Sequence, residues 1–578
     1  MNGREQTQVS WRNRRLAAWA RALAATILVL LLLVIGRLQP LGSPRAFQGR
    51  LAAGALSILL VAYPITAVGA ALGLALFTAN LIIHRHRPRS PWVARGLLLC
   101  GSLAIGIVAA ETAGSAWLGF RHRMPSVPSR FPESRPGDPV EIVVIGGSSA
   151  LGAPYEDWLS VARIVAHALK RAIPTRDFHV NMLAEKGASL EMTHQKLATL
   201  ERKPDIMIIY SGHNEFLARF SLENQTIYYD DERPAARAWG MLEQAARISA
   251  VVRLARENLE KERVGLVPSR ALGTVERTIG RPAASAAETQ AVFADFAARL
   301  EAITSMCERI GCLPILVIPP GNDSADPNQS YAGPRTLHHD RKALFNRLFD
   351  AKRLEARAPE AIAAYEAILD DQPTLAVAHY RLARLLDRSG AVSAAIRHYI
   401  LARDHDGLPL RCVSTLEESH RAVALRHGDQ AILIDGPRLF RAAGTRGVID
   451  QSLVHDLVHP TLKGQTILAR AILDELKRRR AWGWPDDTPV DGLEPWRIER
   501  EFGIDGAVWA TVCRRVAAQY EMIEFLTVDP LERNAWRDRF LAAAARLKEG
   551  AFPRDLGLPG VGVEEPTTPT GQSFPGGQ

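Results

Sequence analysis

Five short runs of apolar residues govern what this chain of 578 residues can fold into. They read EIVVIG (Glu141–Gly146), FHVNML (Phe178–Leu183), DIMIIYSG (Asp205–Gly212), LPILVIPP (Leu313–Pro320) and AILIDG (Ala431–Gly436), with helical stretches between them. A strand that is apolar on both faces has no side to show to water, so its sheet must be covered twice. Strands that alternate with helices pair in parallel, because each crossover returns the chain to the same end. The expected core is an α/β domain of three layers, α/β/α, around a five-stranded parallel sheet. Ligands of such sheets bind beyond the carboxyl ends of the strands.

Ahead of the first strand the chain changes character. Ala22–Gly36 is apolar throughout, Leu51–Ile83 is an uncharged run of 33 residues containing Pro64, and Gly96–Ala110 ends at Glu111. About 20 apolar residues suffice to cross a bilayer. A signal peptide would be followed by a small-residue cleavage site, and no convincing one follows the first run. Residues 1–120 are therefore expected to form a multi-pass membrane anchor. The formal charge of the chain is +9, yet residues 1–123 hold fourteen Arg against Glu5 and Glu111, so the rest is slightly acidic. Arginines that flank apolar runs report membrane topology and argue against a nucleic-acid partner. Arg4, Arg12, Arg14 and Arg15 precede the first run, and Arg85, Arg87, Arg89 and Arg95 precede the third. Both groups lie inside if there are three spans, which places the chain after about residue 120 on the extracytoplasmic side. Arg37, Arg45 and Arg50 weaken the contrast. Two crossings by Leu51–Ile83 would give four spans and a cytoplasmic domain, but the arginine pairing favours three.

Residues 121–139 form a linker rich in Pro and Ser. The core then spans 140–340, interrupted by a charged helical insertion at about 217–290, and resumes at 411–480. Between the two parts, at 341–410, EAIAAYEAILDDQP and AAIRHYILARDHDG match at an offset of 34 residues, Tyr365 with Tyr399. That period and the small–large apolar pattern look like tetratricopeptide repeats. One and a half repeats are too few for a free-standing solenoid, so a hairpin or three-helix unit packed on the core is expected. Both tyrosines are then packing residues, and the unit offers a surface for a protein partner. A helical extension occupies 481–550, with helix at about Pro495–Lys548, and residues 551–578 have the composition of a disordered tail. Cys307 and Cys312 can pair in an oxidising compartment or remain buried thiols, and no cysteine spacing fits a zinc site.

The chemistry gathers at the strand ends. Ser148 stands directly after Gly146 and Gly147, where the first run gives out. A serine there suits a nucleophile, but also a phosphate loop or a helix cap. The turn is not the GxSxG elbow, because Ala150 stands where that elbow needs glycine. A nucleophilic serine needs a base, a carboxylate to orient the base, and donors for an oxyanion. Asp456 and His459 are three residues apart, close enough for the carboxylate to hold the imidazole. His455 competes for the base role without a carboxylate at that spacing. Asn214, in YSGHNEF, offers a side-chain amide, and Gly187, in AEKGAS, a backbone N–H.

Taken in this order, the four blocks resemble the SGNH hydrolases, also called GDSL esterases. Gly146-Gly147-Ser148 stands for their G-D-S, Gly187 for the glycine block, Gly212-His213-Asn214-Glu215 for G-x-N-D, and Asp456-Leu457-Val458-His459 for D-x-x-H. Gly147 and Glu215 each replace the family's usual aspartate. A second Gly-Asn-Asp, at Gly321–Asp323, lies after the fourth run, the wrong place for the third block, and is set aside. The resemblance implies a flavodoxin-like fold. It also implies a triad of Ser148, His459 and Asp456, and an oxyanion hole made of the Ser148 and Gly187 N–H groups with the Asn214 amide. No metal or organic cofactor is implied. The implied substrates are acyl esters, acetyl esters among them, of sugars, lipids or cell-envelope polymers. An envelope polysaccharide O-acyltransferase with the same triad, and a non-enzymatic interaction protein with an idle site, are the alternatives.

Overall fold

The structure is a computed structural model that describes residues 137–217, 286–331, 338–523 and 530–562, with a few shorter pieces. Most of the anchor, the linker and the 217–290 insertion lie outside the described residues, as does the tail after residue 562. Among the described residues no helix is long and apolar enough to cross a membrane. Residues 105–116 form a helix on which Ile105 and Val108 are exposed.

The α/β core lies in the second of two compact units, residues 124–229 with 269–578. Its strands are β1 (Val140–Gly146), β2 (Phe178–Met182), β3 (Ile206–Tyr210), β4 (Leu313–Ile318) and β5 (Ile432–Asp435). They form one parallel sheet in the order 2-1-3-4-5. All five expected strands are present, within a residue or two of their expected ends.

Helices fill the intervals. The first four are α1 (Ser148–Leu151), α2 (Val161–Ala172), α3 (Leu190–Lys196) and α4 (Ala286–Ile310). Between β4 and β5 come α5 (His338–Arg353), α6 (Ala358–Asp371), α7 (Ala376–Arg388), α8 (Val392–Asp404) and α9 (Ser414–His427). After β5 follow α10 (Gly436–Ala443), α11 (Leu462–Arg478), α12 (Pro495–Glu501), α13 (Gly506–Ile523) and α14 (Leu531–Lys548).

The period-2 alternation of each strand sends its side chains to opposite faces. Ile142, Val144, Ile208 and Val317 pack with α2, α11, α13 and α14. Val143, Ile145, Met207 and Leu316 pack with α3, α4 and α9. Three layers result, and each fully buried aliphatic side chain contributes about 1.5–3 kcal/mol. Helix α2 shows how locally consistent the sequence is. Ser160 caps its first turn by accepting from Arg163 N–H, and Val161, Ile164, Val165, Ala168, Leu169 and Ala172 form its buried stripe.

In the helical unit Tyr365 and Tyr399 are both buried, in α6 and α8, as packing residues should be. The described part of the extension is helical at Pro495–Glu501, Gly506–Ile523 and Leu531–Lys548, and it is part of the core: Trp509 and Phe540 are fully buried against the sheet's first face. Arg533, itself buried, reaches the Asp326 carboxylate and the Asn328 side chain beyond β4. The tail requires a correction. Residues 551–562 are placed on the core through Leu558 and Val561, which are buried, and Gly560, which lies against Thr461, while Phe552 stays exposed. Two apolar anchors suffice there, and a composition averaged over Pro, Thr and Gly hides them. Cys307, Cys312, Cys412 and Cys513 are all buried free thiols, so Cys307 and Cys312 are not paired.

Candidate active site

Strand β1 ends at Gly146, whose φ of +144° and closeness to β3 both require glycine. A Cβ there would lie 2.0 Å from the Tyr210 carbonyl oxygen. The chain turns through Gly147 and starts α1 with Ser148, half-buried at the carboxyl edge of the sheet. On the far side of the sequence, after α10, the chain folds a tight loop before α11. His455 N–H donates to the His459 carbonyl at 2.8 Å and closes that loop. Inside it the Asp456 Oδ1 accepts the N–H groups of Val458 and His459, both at 2.9 Å. That leaves Oδ2 for the ring, and His459 Nδ1 lies 2.6 Å from it. The other ring nitrogen, Nε2, lies 2.7 Å from Ser148 Oγ. Three side chains expected to meet do meet, in one hydrogen-bonded line.

The electrostatics suit that line. Burial alone would raise the Asp456 carboxyl. His459 and the two N–H groups outweigh it and hold the carboxyl at about 2, so it is a carboxylate at any ordinary pH. Asp456 and His459 are buried, which strengthens their coupling.

The residues expected to supply oxyanion donors lie on loops next to the Gly146–Ser148 turn. Gly147 leaves the space: a Cβ on it would come within 2.2 Å of Asn214 Nδ2. Asn214 donates one amide hydrogen to the Ala188 carbonyl at 3.1 Å, which fixes the side chain and leaves the second hydrogen available. Gly187 lies in the adjoining loop with φ +73°, and that loop is pinned to the Gly146–Ser148 turn by Glu185 N–H on the Gly146 carbonyl at 3.1 Å. Glu215 does not point at the serine. It accepts from Leu190 N–H and from Ser211 Oγ, and so ties the end of β3 to the start of α3. Burial raises its carboxyl to about 7, against the pull of those two donors.

Two residues near Ser148 and His459 have structural duties. His455 is fully buried and turned away from the serine, with Nε2 2.9 Å from the Tyr155 hydroxyl. Burial lowers its imidazole to about 4, and the nearby His459 pulls the same way. Ser149 points to the His459 loop and donates to the Val458 carbonyl at 2.9 Å. His213 is also buried, and its Nδ1 accepts the Cys412 N–H at 3.0 Å. The sequence carried no local signal for Ser149, Tyr155 or Tyr520, whose hydroxyl holds the His455 carbonyl at 3.0 Å. Among the described residues no cluster of His, Cys, Asp and Glu is placed to hold a metal ion. No family profile, curated protein or solved structure matches this chain.

Proposed function

We propose that the protein is a membrane-anchored serine hydrolase of the SGNH type acting on acyl esters. The observation that carries this reading is the continuous relay from Ser148 Oγ through His459 to Asp456, with separations of 2.7 and 2.6 Å. Ser148 attacks the ester carbonyl while His459 Nε2 takes its proton. Asp456 keeps the imidazole in the tautomer with a proton on Nδ1 and stabilises the imidazolium that forms. Negative charge develops on the carbonyl oxygen, where the Ser148 and Gly187 N–H groups and the free Asn214 amide hydrogen receive it. One such donor is typically worth about 100–1,000-fold in rate. His459 then gives its proton to the leaving alcohol, whose C–O bond breaks, and an acyl-serine remains. Water, deprotonated by His459, cleaves the acyl-serine and restores the serine hydroxyl.

The strand order 2-1-3-4-5 supports a flavodoxin-like arrangement with the site at its carboxyl edge. The 34-residue offset and the buried Tyr365 and Tyr399 support a tetratricopeptide-like reading of α6–α8, which would dock a protein. Sequence hydropathy and arginine placement support three spans with the catalytic domain outside, where acyl esters of sugars, lipids or envelope polymers are the substrates.

A fluorophosphonate probe tests the reading. It should label the wild-type chain at Ser148, and Ser148→Ala should remove both the label and turnover of a short-chain p-nitrophenyl ester. Ser149→Ala should lose no more than about tenfold, the share of one hydrogen bond to the His459 loop. An unlabelled wild-type protein would leave the interaction-protein alternative. Acyl transfer to an added sugar in place of water would identify a transferase.

A further inference from the structure

The turn Asp456–His459 carries the base and the carboxylate that orients it, and all but Val458 of it is buried. A buried carbonyl without a donor is costly, so each one in this turn must find a partner. Each does, and from outside the turn. Asp456 O accepts from Asn322 Nδ2 at 2.9 Å, and Leu457 O accepts from the Asn322 backbone N–H at 2.9 Å. Val458 O accepts from Ser149 Oγ, and His459 O from His455 N–H. One residue, Asn322, supplies two of the four donors.

Asn322 belongs to the Gly321-Asn322-Asp323 segment beyond β4 that matched no block of the motif. It has no exposed surface. Its Oδ1 accepts the Ser324 hydroxyl at 2.8 Å, which fixes the amide so that Nδ2 faces Asp456. Its own carbonyl accepts from Arg411 Nη1 at 2.8 Å, and the same nitrogen also holds the Ala325 carbonyl. Gly321 leaves room for that arginine: a Cβ there would sit 3.2 Å from Arg411 Cγ. On the other side Asp323 is fixed by Arg441 and by the Ile449 N–H. Asn322 is thus held on both flanks and in turn grips the turn that carries His459.

We propose that Asn322 is a positioning residue, a clamp whose side-chain amide and backbone N–H keep His459 aligned between Asp456 and Ser148. The proposal rests on the hydrolase reading for its catalytic consequence, but not for the clamp itself. Aspartate at this position would keep the volume and the Ser324 bond, yet would set a second acceptor against the Asp456 carbonyl. The turn would then be pushed away from Asn322's position, and misplacement by about 1 Å can cost about a hundredfold in rate.

The test compares the wild-type full chain with Asn322→Asp and Asn322→Ala, by ester kinetics and by amide hydrogen exchange. In both variants kcat should fall about 10- to 100-fold while KM stays within about threefold. Exchange at residues 456–461 should quicken by about tenfold or more while β1, at 140–146, keeps its wild-type rate. Unchanged kcat and unchanged exchange in Asn322→Asp would overturn the proposal. So would a loss of kcat accompanied by equally faster exchange in β1, because that pattern is general destabilisation. If the wild-type chain takes no fluorophosphonate on Ser148, the hydrolase reading fails alone, and the exchange comparison still decides the clamp.

Discussion

Gly147 has ordinary backbone torsions, φ −89° and ψ −159°, so conformational freedom is not the reason for a glycine there. Space is: the Asn214 amide occupies the place where a Cβ would stand. Gly147→Ala should therefore push Asn214 off the oxyanion position and lower kcat about 10- to 100-fold, with little change in melting temperature. Steady-state kinetics beside a thermal melt would check this, and wild-type kcat in the variant would refute it. The two histidines of the same loop should separate in the opposite sense. His459→Ala should remove about a thousandfold or more of turnover and leave the fold intact. His455 is buried among Tyr155, Tyr520 and Phe540, so His455→Ala should cost about 2–4 kcal/mol of stability. The fraction of that variant that stays folded should still turn over ester. The D-x-x-H spacing pointed from sequence to the histidine that the structure places between Asp456 and Ser148, because a carboxylate three residues back is a local relation. The duties of Ser149, at a separation of 309 residues, and of Asn322, at 134, are not local and leave no pattern to read.

At the scale of elements, β1, β3 and β4 were legible because each is apolar on both faces, which admits only one environment. The helices of the extension were legible too, but their task was not. Helix α13 brings Tyr520 to the His455 carbonyl, α14 sets Phe540 against the His455 ring, and Arg515 holds the Pro154 carbonyl beyond α1. The extension thus braces both halves of the site from the first face of the sheet. Tyr520→Phe deletes one buried hydrogen bond and should cost about 1 kcal/mol, with a modest fall in kcat. A chain ended after about residue 490 should fail to give a soluble, active core, since Trp509 and Phe540 would no longer cover the sheet. Recovery of an active fragment by limited proteolysis near that point would contradict this.

At the scale of the whole molecule, burial has left many histidines uncharged. His194, His379, His420 and His455 are lowered to about 4, and His213 to about 3, in each case chiefly by loss of hydration. A histidine lowered in the folded state gives a contribution that is complete above its unfolded value of about 6.5 and is lost as pH falls toward the folded value. Each one lowers stability by up to about 1.4 kcal/mol per pH unit within that window. Folding stability should therefore fall between pH 6.5 and 4.5, by about several kcal/mol in total, and the melting temperature should fall with it. A flat profile across that range would show that these rings are not buried and neutral together.

Ser148 and His459 are separated by 311 residues, and that separation is also an order in time. The ribosome releases Ser148, Gly187 and Asn214 early, before the histidine that lies against the serine. His459 emerges only after the whole helical unit, and the helices that brace its loop come later still. On the hydrolase reading, a chain interrupted before His459 is therefore a serine without a partner, unable to attack an ester.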